Sequence, residues 1–174
     1  MDIQIDSREK ARAIQKIIKE FDKQGINYFT SKLLVGDYMN LDSPRLIIDR
    51  KQNLGELCQN VCQQHERFKN ELIRAIQANI QLVILIEHGI DIASLEDVYF
   101  WKNPRKHDVI WKTIDGKRIK TVRNAKATDG KQLYKSLCTI RDRYNVRFEF
   151  CTKKDTGKEI IRILGGNDND SRDD

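Results

Sequence analysis

The sequence predicts an α/β domain, a mixed central sheet flanked by helices, and three observations carry that expectation. QLVILIE at 81–87 is a continuous apolar run of strand length, the pattern of a strand covered on both faces. Shorter apolar or alternating runs at 3–5, 26–29, 45–51 and 146–150 supply further strands. Between them lie segments whose apolar residues recur at helical spacing.

Taken in order, IQI at 3–5 is a short strand that stops at Asp6. Over 10–24, Ile14, Ile17, Ile18 and Phe21 fall on one helical face, and Gly25 follows as a stop. INYF at 26–29 reads as a strand. LLVGDY at 33–38 and RLIIDRK at 45–51 read as two neighbouring strands, joined by a turn in which Asp42, Ser43 and Pro44 are turn formers. Asn53 caps the next helical stretch, whose apolar face runs Leu54, Leu57, Val61, Phe68, Leu72 and Ala75; its length suits two helices. The strand at 81–87 ends in Glu87. Residues 96–127 are the least regular part, with a hairpin expected around Asp115 and Gly116. Leu133, Leu137, Ile140 and Tyr144 then mark a helix, VRFEF at 146–150 an alternating strand, and KEIIRIL at 158–164 a closing helix.

The 174 residues, 39% of them apolar, suit one domain over 1–165 followed by a disordered acidic tail at 166–174. No stretch approaches the roughly 18 apolar residues of a membrane span, and MDIQIDSREK lacks a secretory pattern. The four cysteines therefore read as reduced thiols of an intracellular protein, cytoplasmic in a bacterial or phage setting and nuclear in a eukaryotic one. Cys58, Cys62 and His65 can share a helix face, but they continue an apolar stripe without a compact fourth ligand, so packing is expected there rather than zinc. The formal charge is +6, and its distribution says more than its size. Residues 101–123 hold eight Lys or Arg against two Asp. Lys102, Arg105, Lys106, Lys112, Lys117, Arg118, Lys120 and Arg123 are thus candidates for phosphate contacts, and Tyr99, Trp101 or Trp111 for stacking on an exposed base.

The chemistry concentrates in IIDRK at 47–51. Side chains alternate along a strand, so Asp49 and Lys51 share one face and Arg50 takes the other. If the strands at 33–38 and 45–51 are neighbours, Asp37 approaches Asp49, and two such carboxylates repel unless a proton or cation lies between them. Mg²⁺ or Mn²⁺ suits that pair, with the Arg50 carbonyl as a further oxygen and Lys51 beside it as a cation or a shifted base. Asp6 and Glu9, just beyond the first strand, could ligate a second ion or position a water. An ordinary solvated strand tip fits the alternation as well.

IDSRE at 5–9, LLVGDY at 33–38 and IIDRK at 47–51, in that order and spacing, resemble the signature blocks of the ERCC4 nuclease family, the XPF- and MUS81-like branch of the restriction-endonuclease-like superfamily. LVILIE at 82–87 and LYKSLCTIRDRYNVRFEF at 133–150 extend the resemblance, and 96–127 is its poorest part. The resemblance implies metal-dependent cleavage of DNA at branches, flaps or forks, a restriction-endonuclease-like sheet, and a homodimer. It implies metal ligation by Asp37 and Asp49, a water- or phosphate-positioning Lys51, a bracing Arg50, and supporting roles for Asp6 and Glu9. Two departures stand out: Asp49 occupies a position where the family usually has glutamate, and no room remains after 164 for paired helix-hairpin-helix modules. A non-catalytic DNA-binding module, or the inactive half of a nuclease heterodimer, is the alternative expectation.

Overall fold

The structure is a computed structural model, and it describes residues 1–122, 124 and 126–166. Arg123 and, apart from Gly166, the expected acidic tail lie outside the described residues. Strands β1 (Asp2–Asp6), β2 (Asn27–Ser31), β3 (Tyr38–Asn40), β4 (Leu46–Lys51), β5 (Gln81–Glu87) and β8 (Arg147–Cys151) form a six-stranded sheet in the order β2-β1-β3-β4-β5-β8. β3 is antiparallel to both β1 and β4, while the pairs β1/β2, β4/β5 and β5/β8 are parallel. Five strands therefore run one way and β3 alone runs the other. This is the mixed sheet expected from the sequence.

Helices cover both faces because β4 and β5 are apolar on both. Ile47, Leu82, Ile84 and Ile86 pack against α2 (Leu54–Cys62), α3 (His65–Gln77) and α5 (Gly130–Tyr144). Ile48, Val83 and Leu85 pack with Ile3, Ile5 and Tyr38 under α1 (Ala11–Lys23) and α6 (Thr156–Leu164). Asn53 caps α2, its side chain accepting from the Glu56 amide, and the long helical stretch is indeed broken in two. No helix among the described residues is long and apolar enough to cross a membrane.

Residues 33–37 depart from the expected strand. Gly36 takes a positive φ of 66°, and the regular strand begins only at Tyr38. A Cβ on Gly36 would lie 2.6 Å from Ile47 Cγ2 and 2.9 Å from the Ile48 carbonyl oxygen, so the chain turns here against the flank of β4. Leu33 and Val35 are buried by this tuck rather than by strand alternation. Trp101 also departs from expectation: it is buried beneath α5, with Val98, and is closed to stacking on a base.

The basic region folds as a 3-10 turn over Glu96–Phe100, a short α4 (Pro104–His107) and a separate hairpin of β6 (Val109–Ile114) and β7 (Lys117–Val122). Asp115 and Gly116, both at positive φ, make its two-residue turn as expected. Gly36→Ala is expected to destabilise the protein by roughly 2 kcal/mol or more, because it adds a left-handed penalty to a backbone clash. Urea denaturation would register this as a lowered midpoint with an unchanged slope.

Candidate active site

The topology brings the charged residues to one rim. β1, β4 and β5 all end there, in Asp6, in Asp49, Arg50 and Lys51, and in Glu87. β3 runs the opposite way, so it delivers the residue before its start, Asp37, to the same place. The Asp37 amide donates to the Ile48 carbonyl at 2.7 Å and its carbonyl accepts from the Asp6 amide at 2.8 Å. The backbone of Asp37 is thus locked between β1 and β4 while its side chain reaches past the end of the ladder. There its Oδ2 accepts the Arg50 amide at 2.8 Å.

A cleft of about 400 Å³ opens at this rim, lined by Glu9, Asp37, Asp49, Arg50 and Lys51 from the sheet end and by polar side chains of α2 and α3. On the α2/α3 face of β4, the Lys51 Nζ donates to Asp49 Oδ1 at 2.8 Å, and both side chains are buried. Burial alone would lower the Lys51 pKa, but Asp49, and more weakly Asp37, raise it above its ordinary value. These neighbours favour the ammonium form of Lys51. Asp49 Oδ2 is buried and has no hydrogen-bond partner.

Asp37 is the strained member. Burial, then the charge of Asp49, then that of Glu9 raise its pKa well above the usual carboxylate value, against the smaller opposing effects of Lys51 and the Arg50 amide. Neighbouring carboxylates repel unless a proton or a cation lies between them. Among the described residues no group of three or more His, Cys, Asp or Glu is gathered closely enough to hold a metal by itself. Mg²⁺ asks for less, since one or two carboxylates with water and substrate phosphate suffice. The orphaned Asp49 Oδ2 and the repulsion on Asp37 fit such an ion. A strand residue points its N–H and C=O to one edge, so the bond from the Arg50 amide to Asp37 turns the Arg50 carbonyl towards that carboxylate as well.

The Arg50 side chain emerges on the opposite face. Its Nη2 and Nε donate to Glu9 Oε2 at 2.8 and 3.2 Å, and its Nη1 to Glu87 Oε1 at 2.8 Å. Burial opposes its charge, but Tyr38, Glu9 and Glu87 outweigh that and raise its pKa. The Tyr38 hydroxyl and the Thr156 hydroxyl complete the network, donating to Glu9 Oε2 and Glu87 Oε1. Glu9 is thus both a cleft wall and the acid that anchors Arg50. Asp6 does something else. Its Oδ1 accepts from the Arg8 amide and Nε, and its Oδ2 from Arg8 Nη2 and the Leu33 amide. Burial would raise its pKa, yet these bonds hold it below the ordinary value. It fastens the 33–37 segment to the end of β1 and does not line the cleft.

The sequence reading did not single out Arg67, Glu71 and Arg74 of α3, all of which face the cleft. Glu71 Oε1 accepts the Gly36 amide at 3.2 Å, so α3 holds the turn that presents Asp37. Their spacing of four and three residues, on the flank of the apolar stripe of Phe68, Leu72 and Ala75, is the signal that could have found them. The basic candidates are scattered by comparison. Lys102 is exposed, Arg105 lines a second groove, and Lys112, Lys117, Arg118 and Lys120 stand exposed on the hairpin. Lys106 is engaged by Asp129 at 3.1 Å.

Sheet, flanking helices and an acid-and-lysine rim together define a protein of the restriction-endonuclease-like fold class. Residues 5–163 match the family model of the ERCC4 domain, and the chain belongs to that family. Among solved structures it is similar to XPF from Aeropyrum pernix, with a TM-score of 0.61 and 15% identity over 94% of this chain. It spans 63% of the length of that XPF chain. XPF from Aeropyrum pernix in complex with DNA gives a TM-score of 0.60 and 14% identity, over 99% of this chain and 68% of the other. At such identities the likeness shows the fold. No curated protein matches the sequence.

The charge on Asp37 has a measurable consequence. As pH rises above the ordinary carboxylate value, native Asp37 keeps a proton that the unfolded chain has lost, so the native state loses stability until its raised pKa is passed. Asp37→Asn removes this effect. In chelator, the variant should therefore gain stability relative to wild type as pH increases from about 4 to 8. Urea midpoints measured across that range would check it; a constant difference would contradict the repulsion.

Proposed function

We propose that this protein is a divalent-metal-dependent DNA endonuclease acting at branched, flap or fork structures. The observation that carries the reading is the meeting of Asp37 and Asp49 at one cleft beside the Lys51 ammonium, with Asp49 Oδ2 buried and without a partner. Membership of the ERCC4 domain family supports it, as does the likeness to a fold solved elsewhere in complex with DNA. A pure binding module gains nothing from carboxylates held where a phosphate must lie, because they repel it. That consideration disfavours the non-catalytic reading.

In the proposed reaction, Asp37, Asp49 and the Arg50 carbonyl hold Mg²⁺ or Mn²⁺. The bound ion supplies Lewis-acid polarisation of the phosphoryl group. Lys51 places its positive charge against a nonbridging oxygen, where negative charge grows as water attacks phosphorus in line. The water gives its proton to solvent, the P–O3′ bond breaks and the departing 3′ oxygen takes a proton from solvent, which yields a 5′-phosphate and a 3′-hydroxyl. Arg50, clamped by Glu9 and Glu87, keeps the end of β4 from shifting as the charge of the site changes. Because Asp49 is one methylene shorter than glutamate, the larger Mn²⁺ is expected to serve at least as well as Mg²⁺. A homodimer and an intracellular setting belong to the same proposal and rest on the family resemblance and the cysteine pattern.

Asp37→Asn and Asp49→Asn should retain fold and DNA binding while nicking of flap and fork DNA falls by roughly a hundred-fold or more. Circular dichroism beside a cleavage time course in each metal tests this, and full activity in either variant would sink the assignment. Lys51→Met should slow turnover and also lower the melting temperature, because it leaves the Asp49 carboxylate buried without its ion-pair partner; an unchanged melting temperature would contradict the buried pair. Binding of the ion has a readout apart from activity. Mn²⁺ at about a hundred times its dissociation constant should stabilise wild type by roughly 2.7 kcal/mol, and Asp49→Asn much less, as read by thermal melts.

A further inference from the structure

The β6–β7 hairpin has an unusual position in the molecule. It forms a two-stranded sheet of its own, apart from the six-stranded one, and nearly all of its residues are exposed. An isolated hairpin of this kind has little stability to gain from its own packing. Its register sorts its side chains cleanly. Trp111 stands opposite Lys120 and Thr113 opposite Arg118, so these four share one face. Lys112 stands opposite Ile119 and Ile114 opposite Lys117, and these share the other. Each face thus carries two cations and no acid. They differ in what accompanies the charge: isoleucines on one, and on the other an indole that is 60% exposed.

Arg118 lies over the Trp111 ring at 5.6 Å from its centroid, so the guanidinium steadies the ring from one side. The exposed remainder of the indole offers a π-surface flanked by Arg118 and Lys120. A ring bracketed by cations suits a nucleobase with its phosphates, and such stacking needs the base to be unpaired. The chain just beyond the hairpin borders a groove that neighbours the cleft. The base of the hairpin is tied to α4 by the bond from the Asn124 amide to the Arg105 carbonyl at 3.1 Å. Arg105, Asn124 and Lys126 line a second groove of about 500 Å³. Glu56 and Gln59 of α2 border both this groove and the cleft of Asp37 and Asp49.

We propose that the Trp111, Arg118 and Lys120 face of the hairpin holds the unpaired arm of a branched DNA, which reaches the cleft along the groove beneath Arg105 and Lys126. The inference rests on the nuclease reading and deepens it, because it says which part of a branched substrate the protein grips and with which face. The hairpin selects DNA that has a single-stranded arm, and the cleft cuts beside that arm.

The test uses the full chain in chelator, with fluorescein-labelled oligo-dT, a fork bearing oligo-dT arms, and a blunt duplex. Trp111→Ala should weaken fork and oligo-dT binding about ten-fold and duplex binding less than about two-fold, whereas Trp111→Phe should retain most of the affinity. Arg118→Ala with Lys120→Ala should reduce fork affinity far more than Lys112→Ala with Lys117→Ala, although each pair removes the same charge. Saturation with oligo-dT should quench the emission of wild type and leave Trp111→Phe, whose remaining Trp101 is buried, almost unchanged. That residual emission also reports an intact core. Equal losses from the two double variants, or no quenching at saturation, would overturn the face assignment while leaving the nuclease reading standing. A wild-type protein that binds none of the three DNAs would overturn both.

Discussion

The buried ion bridge in which Arg50 reaches Glu9 on one side and Glu87 on the other is the interaction on which the site depends. It joins the segment after β1, the end of β4 and the end of β5 at the rim where charge is collected. Burying a guanidinium and two carboxylates has a large desolvation cost, and the bridge is stable because its geometry and hydrogen bonds offset that cost. Tyr38 and Thr156 add neutral donors to the same two oxygens. Glu87 Oε2 has no hydrogen-bond partner and is balanced only by the Arg50 charge. Losing any one of the three ions would leave a buried charge alone, so the end of β4 has little freedom to drift.

With Arg50 so held on one face, strand alternation places Asp49 and Lys51 on the other. Those two nearly neutralise each other, and among the described residues Asp37 is then the carboxyl left without an ion-pair partner at the rim. Its pKa is raised by burial first and then by the neighbouring charges of Asp49 and Glu9. Glu71 matters here too, since it holds the Gly36 amide and thereby the turn from which Asp37 projects. The rim is rigid where backbone is concerned and unsatisfied where charge is concerned.

Much of this was legible in the sequence. The apolar run of 81–87 foretold a strand covered on both faces, and the order of residues in IIDRK foretold that Arg50 would turn away from its neighbours. What was hidden had physical reasons. LLVGDY reads as a strand because nothing in its pattern says that Gly36 must take a positive φ against Ile47. Trp101 reads as a surface aromatic because it sits among cations, whereas the fold turns it under α5. The cleft wall of α3 was masked by the apolar stripe beside it, whose Phe68 borders the same cleft. Asp6 looked like one more rim acid, and only its four accepted hydrogen bonds reveal a fastening.

The lone reversed strand has a consequence for the far pole of the molecule. Asn40, at the end of β3, pairs with Ile3 near the start of β1, and its Nδ2 donates to the carbonyl of Leu164. Met1 and the end of α6 therefore emerge side by side, away from the charged rim. A label or tethered module attached at Met1 would hang from this far pole. To touch the charged rim it would first have to travel the length of a strand, roughly 17–20 Å.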